Sequence, residues 1–384
     1  MAKLGEVFTI ASGGTPDKGN PFYYENGTIP WVKTGDLKNQ YVPTGIDCIT
    51  EEGLNNSPAK LFPPNTVLVA MYGATIGACS ILSYEAATNQ ACAAFLPNEN
   101  VLPTYLYYFL LSKRDQFVKD GVGGAQPNIS AGYLKNVQFD LVPVRQQEVI
   151  VERLDEIENL IALRKEQLAK LDQLVKSRFI EMFGDCLTNP KGWKTKCLED
   201  IAEVGSSKRV FVEELQEDGI PFYRGTEVGA LAEGKQITPE LFITEEHYTE
   251  LCEATGTPQI GDLLMPSICP DGRIWVVNTD KPFYFKDGRV LWVHAIDASY
   301  HPVFLLYTLK DRIMTDYSSI ASGTTFAELK IFALKKCRVF DVPLSLQNQF
   351  AAYVEQADKS KLAIQQSLDR LELLKKSLMQ QYFG

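Results

Sequence analysis

Two stretches of the chain carry apolar residues at alternating steps of four and three. After Pro143 the row runs Ile150, Leu154, Ile157, Ile161, Leu168, Leu171 and Val175, with one break at Arg164. After Pro343 it runs Phe350, Val354, Ala357, Ile364, Leu368, Leu371 and Leu378, with a break at Lys361. Such a seam, held over about five heptads, predicts two long helices with a coiled-coil face. Proline suits the first turn, where its missing N–H is not needed. No Pro or Gly interrupts either row, and Gly184 stands where the first helix should end. From Val144 to Ile180 that helix would span about 55 Å at 1.5 Å per residue. The two helices either pack on each other or each pack on a separate partner. Chain connectivity favours the first arrangement by raising the local concentration.

The regions before these helices read differently. Short β-rich runs, Thr66–Met71 and Ile274–Val277, alternate with turn formers such as Gly13-Gly14, Asn26-Gly27, Pro63-Pro64 and Asp287-Gly288. Each region then has an aromatic-rich helix candidate, Pro103 to Lys119 and His301 to Tyr317. A mixed α/β (α+β) body is expected in both.

The chain is written twice. LDQLVKSRFIEMFG from Leu171 matches LELLKKSLMQQYFG from Leu371 at six of fourteen positions, at an offset of 200. The same offset relates Val142-Pro143 to Val342-Pro343 and Gln147 to Gln347. Repeats of this kind define architecture before any single motif does. The expected plan is a body at 1–142, a helix at 143–184, a second body at 185–342 and a second helix at 343–384. The tails are alike and the bodies diverge, so the tails share a structural task and the bodies differ in what they contact.

Chemistry is sparse. Asn20-Pro21-Phe22-Tyr23 is near the box with which amino-methyltransferases hold a flipped adenine, but it lacks the second proline. The best Gly-rich turn, Met71 to Gly77, leads into a strand-like run and not into a helix, so a cofactor site of the nucleotide-binding type is not expected. The eight cysteines form no C-x-x-C pair and have no His at metal spacing, and only three histidines exist. Catalytic residues and metal ligands are therefore expected to be absent. No apolar run reaches the roughly 18 residues of a membrane span. The start MAKLGEVFTI lacks an apolar segment long enough for a secretory signal, which points to a cytoplasmic protein.

One further pattern recurs. Ile29-Pro30-Trp31-Val32-Lys33-Thr34-Gly35-Asp36 is echoed by Ile220-Pro221-Phe222-Tyr223-Arg224-Gly225-Thr226-Glu227. A cation and a carboxylate flank a small flexible link at what reads as a strand end and loop. Such a pair forms a surface ion pair at a turn, or it reads guanine and cytosine edges in DNA. The net charge of −10 lowers the expectation of DNA binding, although one basic groove can coexist with acidic outer faces. A coiled-coil protein-interaction scaffold that does not bind DNA is the alternative reading.

The whole chain resembles the specificity subunit of a type I restriction–modification system. The likeness rests on Ser12-Gly13-Gly14-Thr15-Pro16, the Ile29–Asp36 segment, Tyr72-Gly73-Ala74-Thr75-Ile76-Gly77, Thr88-Asn89-Gln90, Gly123 to Ile129 and the two helices ending in Phe-Gly. The resemblance implies two target-recognition domains separated by antiparallel helices, each reading half of an asymmetric bipartite double-stranded DNA target. It implies that the helices set the spacer and dock two methyltransferase subunits, and that restriction/translocase subunits join them. S-adenosylmethionine, ATP and Mg then belong to those partners. In the first half it nominates Thr15, Lys33, Asp36, Tyr72, Thr75, Gln90, Gln126 and Asn128 as DNA contacts. The second half departs from the motifs, with Ser207-Lys208-Arg209-Val210 in place of Gly13–Pro16 and Ser267–Arg273 in place of Tyr72–Gly77. There Lys208, Arg209, Arg224 and Arg273 are the nominated cations, and the departure implies a different half-site.

Overall fold

The computed structural model describes residues 1–122, 128–323 and 327–384. The chain divides into two compact units, Met1–Glu166 with Gln365–Gly384, and Gln167–Ile364.

In the first unit the strands of the two larger sheets are β1 (Ile10–Ser12), β2 (Ile29–Val32), β3 (Cys48–Ile49), β4 (Leu61–Phe62), β5 (Val67–Ala70), β6 (Cys79–Ile81), β7 (Ala86–Thr88) and β8 (Cys92–Phe95). They form two four-stranded sheets, in the orders β1-β8-β5-β6 and β3-β2-β7-β4. All pairings are antiparallel except β2 with β7. β5 and β8 are buried along their whole length, which is why Val67–Ala70 is a continuous apolar run and does not alternate. The first and last strands of the body, Ala2–Lys3 and Gln138–Phe139, pair with each other and close it.

The aromatic-rich candidate becomes two helices, α1 (Pro103–Ser112) and α2 (Arg114–Asp120), because the backbone leaves helical geometry at Lys113. The long helix is α3, Val144–Phe183, of 40 residues or about 60 Å.

The second unit repeats this plan. The strands of its two larger sheets are β9 (Glu203–Gly205), β10 (Ile220–Tyr223), β11 (Phe242–Ile243), β12 (Leu263–Pro266), β13 (Trp275–Val276), β14 (Tyr284–Phe285) and β15 (Val290–His294). The order β9-β15-β12-β13 reproduces β1-β8-β5-β6, and β10 runs parallel to β14 as β2 does to β7. Between β10 and β11 lies α4 (Gly225–Ala232). The helix α5 (Pro302–Ile320), kinked where Asp316 leaves helical geometry, stands where α1 and α2 stand in the first body, and α6 (Leu344–Phe383) is the second long helix, again of 40 residues. The fold is thus mixed α+β, duplicated, with two long helices.

Each unit holds a body, the start of one long helix and the end of the other. In the first, Ile150, Leu154, Ile157 and Ile161 of α3 are buried, as is Leu368 of α6, and Leu371 is half-buried. Lys165 pairs with Glu372 at 3.1 Å. Arg164, the break in the seam, donates from Nε to Ser367 Oγ at 3.2 Å. In the second unit Phe350, Val354 and Ala357 are buried with Val175 and Phe179, while Leu168, Leu171 and Ile364 are half-buried. Lys361, the other break, lies 2.7 Å from Asp172. Both polar interruptions are therefore interhelical partners, and within each unit the pairing runs antiparallel: Arg153, Glu158 and Arg164 meet Tyr382, Lys375 and Ser367 in the first, and Asp172 and Arg178 meet Lys361 and Tyr353 in the second.

The two Phe-Gly ends are plugs. Phe383 is buried against Tyr105 and Phe109 of α1, with ring centroids 5.3 and 6.0 Å away. Its carbonyl accepts from Lys113 Nζ at 2.5 Å, at the break between α1 and α2. Phe183 is buried against Phe304 of α5 and Phe350, at 4.8 and 5.6 Å. Its carbonyl accepts from Trp193 Nε1 at 3.0 Å. Gly184 adopts φ of +88° and donates its N–H to Ile180 O, a left-handed cap that glycine favours.

Candidate nucleic-acid interface

In the first body the sheet topology gathers most nominated residues at one edge. Because β2 and β7 are parallel, both end there. Lys33 follows β2 directly, and Asn89, after β7, donates its N–H to Val32 O at 3.0 Å. Met71, after β5, donates to Ala91 O at 2.8 Å, so Tyr72 leaves the same edge. Gln90 lies between Asn89 and Ala91, and Thr15 Oγ1 donates to its Oε1 at 2.5 Å. Tyr72 forms a β-bridge with Asn128, and Thr75 Oγ1 donates to Tyr72 O at 3.0 Å. Thr15, Lys33, Tyr72, Thr75, Gln90 and Asn128 therefore share one surface. Gln126 lies outside the described residues.

The Gly13-Gly14 pair has a structural cause. A Cβ on Gly13 would overlap the Thr88 carbonyl oxygen, to which Gly14 donates its N–H at 2.9 Å. Close approach, and not positive φ, demands glycine there. The Met71–Gly77 turn joins the antiparallel strands β5 and β6 in a hairpin, so it offers no helix N-terminus to a cofactor. Asn20 uses its side-chain oxygen to accept from the Phe22 N–H at 3.2 Å, which fixes Pro21–Tyr23 as a turn.

The echo between Lys33–Asp36 and Arg224–Glu227 is a backbone device. Asp36 Oδ2 accepts the Lys33 N–H, and Glu227 Oε2 accepts the Arg224 N–H, each at 2.8 Å. The carboxylate three residues on caps the strand end. The side chains then differ. Lys33 pairs with Asp47, not with Asp36. Arg224 reaches Glu227 at 2.6 Å and Glu240 at 3.2 Å. Burial alone would push the Glu227 carboxyl up, but hydrogen bonds from the Arg224 side chain and backbone and from Thr226 outweigh it and hold the pKa at about 2. In the second copy the residues after Arg224 are the first turn of α4 and not a loop.

In the second body the equivalent edge is cationic. Arg224 follows β10, and Lys286, after β14, donates its N–H to Tyr223 O at 2.9 Å. Ser207 Oγ donates to Phe285 O at 2.6 Å, and the Lys208 N–H donates to Tyr284 Oη at 2.9 Å. Arg209 lies 3.3 Å from Asp287. Arg273 bonds Asp271 at 3.0 Å through Nε, and its guanidinium lies against Gly229 of α4. The Arg289 carbonyl oxygen lies against Gly225, the first residue of the same helix. Arg289, more than half exposed and paired with Glu328, was not expected from the sequence; nor was Lys286. Their only signal was the Asp287-Gly288 turn between them. The carboxylates Asp271 and Glu240 are more than half exposed, and ion pairs of that kind contribute about 0–1 kcal/mol each, whereas Asp287 and Glu227 are mostly shielded and hold Arg209 and Arg224 more firmly.

Among the described residues no group of His, Cys, Asp and Glu could hold a metal ion, and no helix is long and apolar enough to cross a membrane. All eight cysteines are free thiols; burial raises those of Cys79, Cys92, Cys186, Cys269 and Cys337 well above the usual thiol range.

Comparison with known proteins fits this duplicated geometry. The chain is 26% identical over 385 residues to the type I restriction enzyme MjaIX specificity subunit of Methanocaldococcus jannaschii, covering 92% of this chain and 85% of that one. Its fold is similar to that of a chain from a solved type I R-M system, described for its complex assembly and conformational transition, with a TM-score of 0.62 at 18% identity, covering 100% and 96% of the two chains. It is similar too to the S subunit of a type I restriction–modification system from M. genitalium, with a TM-score of 0.54 at 15% identity over 100% and 95%. The family model for the type I restriction modification DNA specificity domain matches twice, at residues 1–173 and 190–373. One match falls on each body with its helix, and the chain belongs to the type I restriction–modification DNA specificity family.

Proposed function

We propose that this chain is the DNA-reading, non-catalytic subunit of a type I restriction–modification complex, and that each body reads one half of an asymmetric bipartite duplex. The observation that carries this is the repeated edge. The same sheet topology presents Thr15, Lys33, Tyr72, Thr75, Gln90 and Asn128 in one body. In the other it presents Lys208, Arg209, Arg224, Arg273 and Arg289. One frame with two different polar surfaces suits a reader of two different sequences. Asp36 and Glu227 cap the backbone N–H of the residue that carries each cation.

The long helices set the spacer between half-sites and dock two methyltransferase subunits, to which restriction/translocase subunits add. Outward apolar residues support docking: Leu174 and Leu374, related by the 200-residue offset, are 53% and 47% exposed. Methyl transfer and its S-adenosylmethionine, with ATP and Mg, belong to those partners in the cytoplasm.

Reconstitution tests the reading. The chain with its methyltransferase partner should retain one asymmetric bipartite duplex in excess random DNA; equal binding to all duplexes would reject it. Within that complex Arg289→Gln should weaken binding to every sequence alike and reduce the slope of log affinity against log salt by about 1, as loss of one phosphate contact does. A change confined to one base position would instead assign Arg289 to base reading.

A further inference from the structure

Gln147 and Gln347 are fully buried and occupy the same place, the fourth residue of α3 and of α6. Gln147 Oε1 accepts the Leu102 N–H at 2.9 Å, and its Nε2 donates to Asn100 O and Val142 O, both at 2.8 Å. Gln347 Oε1 accepts the His301 N–H at 2.8 Å, and its Nε2 donates to Ser299 O at 3.0 Å and Val342 O at 2.9 Å. Leu102 and His301 are each the residue that opens the aromatic helix of their body. Each amide thus ties three strands of backbone: the helix opening, the turn before it and the exit of the body into the long helix. A primary amide is the neutral side chain that offers an acceptor and two donors at one tip.

We infer that Gln147 and Gln347 are positioning residues that fix the angle between each recognition body and its helix through main-chain groups alone, so the joint accepts bodies of unrelated sequence. This rests on the DNA-reading function proposed above. Every group held in the body is backbone, and no body side chain is read. Divergent bodies can therefore share one socket provided that they present the same backbone corner. The joint also controls reading. A tilt of roughly 10° about it moves a loop about 15 Å away by about 2.6 Å, against the roughly 0.5 Å tolerance of a positioned site. Loss of the amide would leave the helix-opening N–H and the shielded carbonyl of Val142 or Val342 without this partner, so the angle is held sharply.

The test uses the complete complex with its methyltransferase partner and a duplex library randomised in each half-site. Gln147→Met keeps the shape and removes all three bonds. It should lower discrimination at the half-site read by the first body by about tenfold and leave the other half-site unchanged, with Gln347→Met doing the reverse. Unchanged discrimination at both half-sites, or equal loss at both, overturns the inference. Should Gln147→Met fail to fold, Leu102→Pro deletes the N–H that Gln147 accepts at a residue whose φ of −67° suits proline, with Leu102→Ala as the control for the leucine side chain that packs against the core. It should give a smaller loss at the same half-site, and a loss at the other would overturn the inference. A wild-type complex without any sequence preference would refute the DNA-reading function itself. A selective wild type beside an equally selective Gln147→Met would refute the joint alone.

Discussion

Phe383→Ala should destabilise the first unit by about 3–5 kcal/mol, the usual result of emptying a buried aromatic site. Phe383 is buried, touches Tyr105 and Phe109, and gives its carbonyl to Lys113. The cavity left by alanine would open between α1 and the end of α6, where rigid rings cannot collapse to fill it. Phe183→Ala should act alike in the second unit, where the ring meets Phe304 and Phe350. For units of this size the loss corresponds to a fall of about 10 °C in melting temperature. Amide exchange should rise in Tyr105–Leu110 for Phe383→Ala and in Phe304–Leu309 for Phe183→Ala. A cost under about 1 kcal/mol at either site would show that the plug is decorative.

Lengthening the helices should change the spacer and nothing else. Four residues added after Lys170, matched by four after Leu362 on the facing helix, add about 6 Å of rise and about 40° beyond one full turn. DNA advances 3.4 Å and about 35° per base pair, so the unspecified spacer should grow by one or two base pairs. Both half-sites should stay as they were, because no residue of either body is altered. Changed half-sites with an unchanged spacer would refute the helices as a ruler. Methylation of a duplex series that differs only in spacer length reads the outcome directly.

The seam was legible in the sequence because a heptad row needs only spacing. Its breaks at Arg164 and Lys361 were legible as positions but not as contacts, since Ser367 and Asp172 lie some 200 residues away in sequence and meet them only in the folded chain. The recurrence of Lys33–Asp36 at Arg224–Glu227 was visible too, and it left a surface ion pair and base reading both open. The carboxylates proved to cap the backbone, a bond between residues three apart that residue type alone does not separate from a surface ion pair. Arg289 and Lys286 were missed because isolated cations beside a turn carry no pattern. The parallel pairing of β10 with β14 is what brings them beside Arg224. Gln147 and Gln347 illustrate the same limit: their recurrence was plain, but their partners are carbonyls and N–H groups that every residue possesses.

The central claim is that two bodies on one frame read two half-sites. Mapping methylated adenines across a host genome, with and without this chain and its partners, tests it most directly. The account predicts one asymmetric motif of two short specified parts with a fixed unspecified spacer, present only when this chain is present. A continuous motif, a palindrome, or a pattern unaffected by removing the chain would contradict it.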